Sequence, residues 1–370
     1  MNYYYKFRLY PNRKQQIKIT HTFGCCRFVY NRYLSMRKSV YEQNRELLDY
    51  RACIKNLNSL LKSEDARWLC DVDKSALRSA VWDVNDACQH MMKKAKPGTT
   101  PKYPRPKKKR SRRQTYRSSG PIEVLDNAIV LPELGKVKCR ISKEVQGSIL
   151  SATLSLTSGG KYFLSLCCRL SQGFDSLPST GENIGLAAAH NSFAVLSNGL
   201  SCPYPKHLIE SELLLARHKR QLARKTKGSA NWKKAMVQFM TLKEHVLHQR
   251  MDFMQKLSTD IIRQYDVICM KDSLKRFLRD VHNRNMDLSY LCWGEFKWQI
   301  FYKSCWYGKT LSAVVESYPE KQICSHCGNR CENAIKPFSN LWKCPNCGSV
   351  LSREHNAAVN ILNEGLSILA

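Results

Sequence analysis

The chain has 370 residues, with 60 Lys and Arg against 30 Asp and Glu, so its formal charge is +30. A hydrophobic share of 43% is ordinary for a folded protein; disorder throughout is excluded, and the length predicts two or three domains. With no apolar signal core at Met1–Arg8 and no run near the roughly 18 apolar residues of a membrane span, the charge and the 10% aromatic content point to nucleic acid as the partner.

Residues 3–10 alternate like a half-buried strand, and Pro11-Asn12 turns the chain into a helical pattern carrying Ile17, Phe23, Val29, Tyr30 and Leu34. Helical spacing continues to about residue 95 and predicts a small bundle. Residues 93–117 hold 12 Lys or Arg and no acid, broken by Pro97, Pro101, Pro104 and Pro106, which predicts an extended basic arm. From Ile122 to about Leu170 short β-rich runs alternate with Gly-bearing turns, as in a small barrel or meander. Two strands in hairpin relation follow at Asn183–Leu186 and Phe193–Leu196, closed by Ser197-Asn198-Gly199. Residues 206–265 read as two long helices around Lys227-Gly228-Ser229, then come a buried strand at Val267–Met270, a helix near 293–307 and a strand at Ser312–Val315. Strands and helices in this alternation predict an α/β domain.

The chain holds 17 cysteines. The odd number, and pairs such as Cys25-Cys26 and Cys167-Cys168 inside apolar runs, fit a reducing compartment better than a disulfide scaffold. Four of them form two Cys-x-x-Cys knuckles, Cys324/Cys327 and Cys344/Cys347, with 16 residues between the inner pair. That spacing predicts one structural, four-thiolate zinc site, closed to chemistry. Gly328 and Gly348 follow the knuckles, where a positive backbone angle lets amides face the sulfurs. Cys331 and His326 are expected to be bystanders.

Tyr5–Pro11, Phe23–Asn31, Trp293-Gly-Glu-Phe, Trp306-Tyr-Gly-Lys, the knuckles and Asn356-Ala-Ala-Val-Asn-Ile361 together resemble the TnpB family, transposon-encoded RNA-guided nucleases related to type V CRISPR effectors. The resemblance runs in collinear order along essentially the whole chain. It implies an α+β multidomain protein: an N-terminal β-barrel (wedge) over 1–12 and 96–178, a helical recognition domain inserted at 13–95, a RuvC domain of RNase H-like α/β fold over 179–323 and 348–370, and a zinc ribbon inserted at 324–347. It also implies a bacterial, cytoplasmic and nucleoid-associated protein.

In that family three acidic residues hold two divalent metals for in-line phosphodiester cleavage. Matched position by position, the first Asp is Ala187, in Gly185-Leu-Ala-Ala-Ala189; the Glu that ends the buried strand is Lys271; and the last Asp is Glu354, one methylene longer. Alanine removes a ligand and an ammonium repels dications, so no catalytic Mg²⁺ and no cleavage are expected. Asp272 would point to the opposite face of its strand from Lys271. His190 and His355 flank these motifs without carboxylate partners and form no credible catalytic centre. Lost carboxylates beside intact binding features resemble the TldR proteins, TnpB-derived nuclease-dead repressors. The resemblance implies a guide RNA of transposon-end type, double-stranded DNA opened as an R-loop next to a protein-read motif, and exclusion of RNA polymerase from a promoter. The competing readings are a TnpB nuclease rescued through Glu354, and a non-specific basic accessory protein.

Binding candidates follow from the same resemblance. Lys74, Ser75, Arg78, Gln114, Thr115 and Tyr116 occupy the places where relatives contact the target-adjacent motif. Lys107, Lys108, Lys109, Arg110, Arg112 and Arg113 are expected on phosphates of guide scaffold or target duplex. Arg217, Lys219, Arg220, Arg224, Lys225 and Lys227 lie on a helix that borders the heteroduplex in relatives, and a solvated helix face is an equal reading. Tyr3, Tyr4, Tyr5 and Phe7 are expected in the barrel core, and Trp293, Trp298 and Trp306 as packing residues.

Overall fold

A computed structural model describes residues 1–44, 46, 48–94, 102–109, 114–171, 173–189, 192–272, 288–331 and 341–370. They divide into two compact units, Met1–Gln172 and Gly173–Ala370. Among the described residues no helix is long and apolar enough to cross a membrane.

The first unit opens with β1 (Asn2–Tyr10), whose alternation buries Tyr5, Phe7 and Leu9. Tyr4, expected in the core, stands on the other face and is 65% exposed. Asn12 and Gln15 then cap α1 (Arg13–Asn44) reciprocally: the Gln15 amide N–H donates to Asn12 Oδ1 at 2.9 Å and the Asn12 N–H to Gln15 Oε1 at 3.0 Å, the capping box that satisfies two orphan donors. Helix α2 (Tyr50–Leu60) starts on the Asp49 carboxylate, a short 3₁₀ turn covers Glu64–Leu69, and α3 (Lys74–Lys94) starts on Asp73. Six strands complete the unit: β2 (Gln114–Ser118), β3 (Glu123–Leu125), β4 (Ala128–Leu131), β5 (Gly135–Arg140), β6 (Ser148–Leu156) and β7 (Tyr162–Arg169). With β1 they make one sheet in the order β2-β6-β7-β1-β5-β4-β3, antiparallel at every pairing. The sequence predicts a small barrel or meander here; the described pairings give an antiparallel sheet with β3-β4-β5 as a meander and β2 and β3 at its edges. One core joins it to the helices, including Phe7, Leu9, Phe23, Val29, Leu77, Val81, Tyr116 and Leu154.

The second unit is built on β8 (Asn183–Ala188), β9 (Ala194–Leu196), β10 (Ser201–Cys202), β11 (Val267–Lys271) and β12 (Thr310–Val314). The order is β10-β9-β8-β11-β12, with β8, β11 and β12 parallel and the β8-β9-β10 meander antiparallel. Between β10 and β11 run α4 (Lys206–Ala223) and α5 (Ala230–Gln264), the latter capped by Ser229. Helix α6 (Leu288–Tyr307) lies between β11 and β12. The hairpin β13 (Leu341–Lys343) and β14 (Val350–Ser352) precedes α7 (Arg353–Ser367).

Alternation sorts the sheet into two faces. Ile184, Leu186, Ile268 and Met270 share a core with Phe193 and with Met254, Ile261, Trp293, Phe296 and Ile300 of α5 and α6. Ala187, Cys269 and Val314 pack with Ala357, Ala358 and Ile361 of α7. The approach on this second face is close enough to dictate glycine: a Cβ on Gly185 would stand 2.2 Å from the Ala358 carbonyl oxygen, and one on Gly365 2.4 Å from Cys269 Sγ.

Candidate nucleic-acid interface and metal centre

The topology brings Ala187, Lys271 and Glu354, the positions that the sequence resemblance matches to acidic residues, to one end of one sheet face. Ala187 lies near the end of β8, buried in the cluster that contains Ala357 and Ala358. Glu354 precedes those alanines by one turn, in the first turn of α7. Lys271 ends β11 two residues beyond Cys269, so it shares the α7 face. Its ammonium is ion-paired with Glu320 and donates to the Tyr318 carbonyl at 2.6 Å. Both carriers of that pair are mostly buried, at 19% and 14% side-chain exposure. Asp272 goes to the other face, as strand alternation predicts, and pairs with Lys297 of α6. His355 lies with Nε2 3.0 Å from the Ser197 carbonyl oxygen, while His190 falls outside the described residues.

The four knuckle cysteines converge. Their sulfurs all lie within 4.8 Å of one another, with Cys324–Cys347 and Cys327–Cys344 separations of 3.7 Å. A tetrahedron with Zn–S bonds of about 2.3 Å has edges of about 3.8 Å, so the donor set fits zinc in type and in size. Cys324 and Cys344 are buried and Cys327 and Cys347 exposed. Hydrogen bonding with the Ser349 side chain and amide brings the Cys347 thiol down to about 6, and burial pushes Cys324 up to about 12. Two buried asparagines tie the first knuckle to α7. Asn356 accepts from the Ser325 N–H at 2.8 Å and donates to the Ile323 carbonyl at 2.7 Å, and Asn360 donates to the Glu320 and Ile323 carbonyls. In the sequence these residues are only part of a motif; their structural work shows in the fold. Among the described residues the cysteines are the only group of three or more His, Cys, Asp or Glu close enough to share a metal.

The basic candidates separate by accessibility. Arg217, Lys219, Arg220, Arg224, Lys225 and Lys227 are all exposed around the α4–α5 turn, and none has an ion-pair partner among the described residues. That is the arrangement a phosphate chain requires. Lys74 and Arg78 are exposed one turn apart on α3, and Trp82, 46% exposed, extends that line against Tyr50 at 5.2 Å. Neither aromatic residue is marked by the sequence pattern, since helical spacing alone does not separate an exposed ring from a core one. Thr115 and Lys108 are exposed and Lys109 is too, while Gln114 reaches the Lys109 carbonyl at 3.3 Å.

Three candidates have partners within the first unit, Lys107 while remaining exposed. Tyr116 is buried against Phe23, ring centroids 5.7 Å apart, and therefore presents no ring to a ligand. The Ser75 hydroxyl donates to Asp73 at 2.7 Å and accepts from the Ser119 N–H at 2.9 Å, which closes the start of α3 rather than facing outward. Lys107 lies over the Tyr30 ring at 4.1 Å, pairs with Asp83 and is held through its backbone by Asn31. Arg110, Arg112 and Arg113 fall outside the described residues. Of the three tryptophans expected to pack, Trp293 is buried, Trp306 stacks on Phe174 and Tyr302, and Trp298 is 56% exposed. It lies on the outer side of α6 beside Phe301.

Comparison with known proteins gives consistent matches along the chain. Family models described as "Helix-turn-helix domain", "Probable transposase" and "Cas12f1-like, TNB domain" match residues 1–46, 166–272 and 293–361. A Streptomyces pristinaespiralis protein named "Putative RNA-guided DNA endonuclease" is 29% identical over 99% of this chain and 90% of its own length. The Escherichia coli K12 protein InsQ, of the same name, is 27% identical over 99% of this chain and 93% of its own. The solved Cas12f1-sgRNA-target DNA complex contains a chain of similar fold, with TM-score 0.57 at 15% identity, covering 94% of this chain and 83% of that one.

Proposed function

For a chain that belongs to the TnpB family, we propose RNA-guided, sequence-specific DNA binding without cleavage, used to repress transcription by occupying a promoter. RNA-guided recognition delegates sequence to base pairing, while the protein holds the heteroduplex through its backbone. The exposed cations of the α4–α5 turn suit that second task. The sheet order β10-β9-β8-β11-β12 supports reading the second unit as RuvC-like, with the ribbon's four cysteines holding one structural zinc.

The observation that carries the proposal is the chemistry at the ends of β8 and β11. Two-metal cleavage needs carboxylates that bridge dications held a few ångströms apart. Here a methyl group stands at Ala187 and an ammonium, already neutralised by Glu320, stands at Lys271. A dication beside Lys271 would meet a like charge in a partly desolvated site, which favours neither binding nor catalysis. Of the three matched positions only Glu354 carries a carboxylate, and that of Glu320 is already paired with Lys271, where two ions would need several. On this reading the complex opens its target, stays in place and excludes RNA polymerase sterically, in a bacterial cytoplasm.

Immunoprecipitation from the native host, with the co-purified RNA and DNA sequenced, tests this directly. The expected result is one discrete guide RNA whose 3′ end matches an occupied and uncut promoter. Cleavage of a guide-matched plasmid in Mg²⁺ would overturn the nuclease-dead reading in favour of a transposon-maintaining endonuclease. Equal affinity for guided and unguided DNA would favour a non-specific accessory protein.

A further inference from the structure

An open groove of about 880 Å³ runs along α1 in the first unit, facing Asn56 of α2. Arg27, Phe28, Asn31, Arg32 and Ser35 line it with Asn56, and no Asp or Glu does so among the described residues. Neither Arg27 nor Arg32 has an ion-pair or hydrogen-bond partner among the described residues. Two guanidiniums without counter-charges in one concave site are a standing demand for an anion. At the same end, Phe28 and Trp68 stand 39% and 38% exposed, their rings 5.0 Å apart and edge to face. The 3₁₀ turn Glu64–Leu69 holds Trp68 there by burying Ala66 and Leu69. Large rings left in water beside unpaired guanidiniums form the combination that binds unpaired nucleotides: phosphates on the cations and bases on the ring faces.

We infer that this groove holds a single-stranded segment of RNA, with Arg27 and Arg32 on its phosphates and Phe28 and Trp68 stacked on its bases. The inference rests on the reading that the chain binds RNA, and it assigns a site to part of that binding. The volume is that of a pocket for one drug-sized molecule, about 300–1,000 Å³, which suits one or two splayed nucleotides and is too small for a duplex. RNA is favoured over DNA by the neutral polar lining. Ser35 and the Asn56 amide lie along the groove, and the 2′-hydroxyl that distinguishes RNA is read by such donors and acceptors.

The test uses the full chain and two labelled oligonucleotides that differ only in the sugar, an oligouridylate and its deoxy counterpart, titrated by fluorescence anisotropy across salt concentrations. A 4-thiouridine version of the RNA maps contacts by photo-crosslinking. The wild type is expected to crosslink at peptides containing Phe28 and Trp68. The double substitution Arg27→Ala with Arg32→Ala is expected to weaken RNA binding about tenfold and to lower the slope of log K against log salt by about 1.4, two single-strand phosphate contacts at about 0.7 each. Trp68→Leu is expected to weaken binding about tenfold with the slope unchanged. Melting curves check that each variant folds, and the crosslink map on the wild type decides even if one does not. Crosslinks confined elsewhere, or both folded variants binding as the wild type does, overturn the groove while leaving RNA-guided binding standing. An equal loss for the deoxy oligonucleotide overturns the choice of RNA. A wild type that binds no RNA overturns this site and the RNA-guided reading together.

Discussion

At Gly185 the side chain is absent because the Ala358 carbonyl of α7 occupies its place. Gly185→Ala is therefore expected to destabilise the protein by about 1–3 kcal/mol, the range for forced overpacking, read as a melting temperature several degrees lower. A neutral result would mean that α7 does not seat on β8 as described. Asp266 has a comparable positional role through hydrogen bonds. Its carboxylate accepts from the Ser179 hydroxyl at 2.5 Å, from the Thr180 and Gly181 N–H groups and from the Lys309 ammonium. Lys309 and these donors hold it well below the usual carboxylate range. Because the folded value is depressed, the stabilisation is complete above the unfolded value of about 3.9 and is lost as pH falls from there through the folded value. Asp266→Asn is expected to be less stable than the wild type at neutral pH, with the gap narrowing below about pH 4. A gap constant across an acid titration of unfolding would contradict that origin.

Among elements, the α4–α5 hairpin shows the clearest passage from pattern to surface. Eight Lys or Arg without an acid between Arg217 and Lys234 mark a cationic stretch in any conformation, and the hairpin exposes it without internal partners. Replacing Arg217, Arg220 and Arg224 by Ala is expected to weaken non-specific duplex binding and reduce its salt slope by up to about 2.7, at about 0.9 per phosphate contact. An unchanged slope in salt-dependent anisotropy would return those residues to a merely solvated face. The strand runs at 128–131, 150–156 and 267–270, and the knuckles, were equally legible, because short apolar or alternating runs and Cys spacing carry their meaning locally. Tyr116, Ser75 and Lys107 were not. A tyrosine in a five-residue strand can face either way, and only the packing of Phe23 against it decides. A serine beside Asp73 and a lysine beside Pro106 acquire partners from α3, β2 and α1, distant in sequence, so no local pattern announces them. Trp298 differs in the other direction: helical spacing predicts a packing residue, and its ring is 56% exposed beside Phe301 and Tyr302 of the same helix.

For the molecule as a whole, the cysteine knuckles are a fastening as well as a candidate metal centre. Asn356 and Asn360 join the first knuckle to α7, and α7 supplies one wall of the α/β core. The binding energy of a metal held by the four cysteines would thereby be coupled to the fold of the second unit. Chelation by EDTA at elevated temperature is expected to release one zinc per chain and lower the melting temperature, with recovery on adding Zn²⁺ but not Mg²⁺. Metal analysis alongside calorimetry checks it, and one that found no zinc would remove the coupling. The helical run up to Lys94 and the β-rich runs after it were legible because period and composition carry them locally. The groove along α1 was not, since its walls come from α1 and α2 and its aromatic end from the turn between α2 and α3.

The Lys271–Glu320 pair also bears on evolutionary history. A single change of Lys271 to Glu would not restore a metal site, because Ala187 would still lack its carboxylate. It would instead set two carboxylates against each other in a partly buried setting, where like charges repel strongly, and would strip Glu320 of its partner. On the reading proposed above, a route to an acidic site would pass through a less stable intermediate before any benefit is reached. The ion pair would then work as a ratchet, holding the chain to a function that needs no cutting.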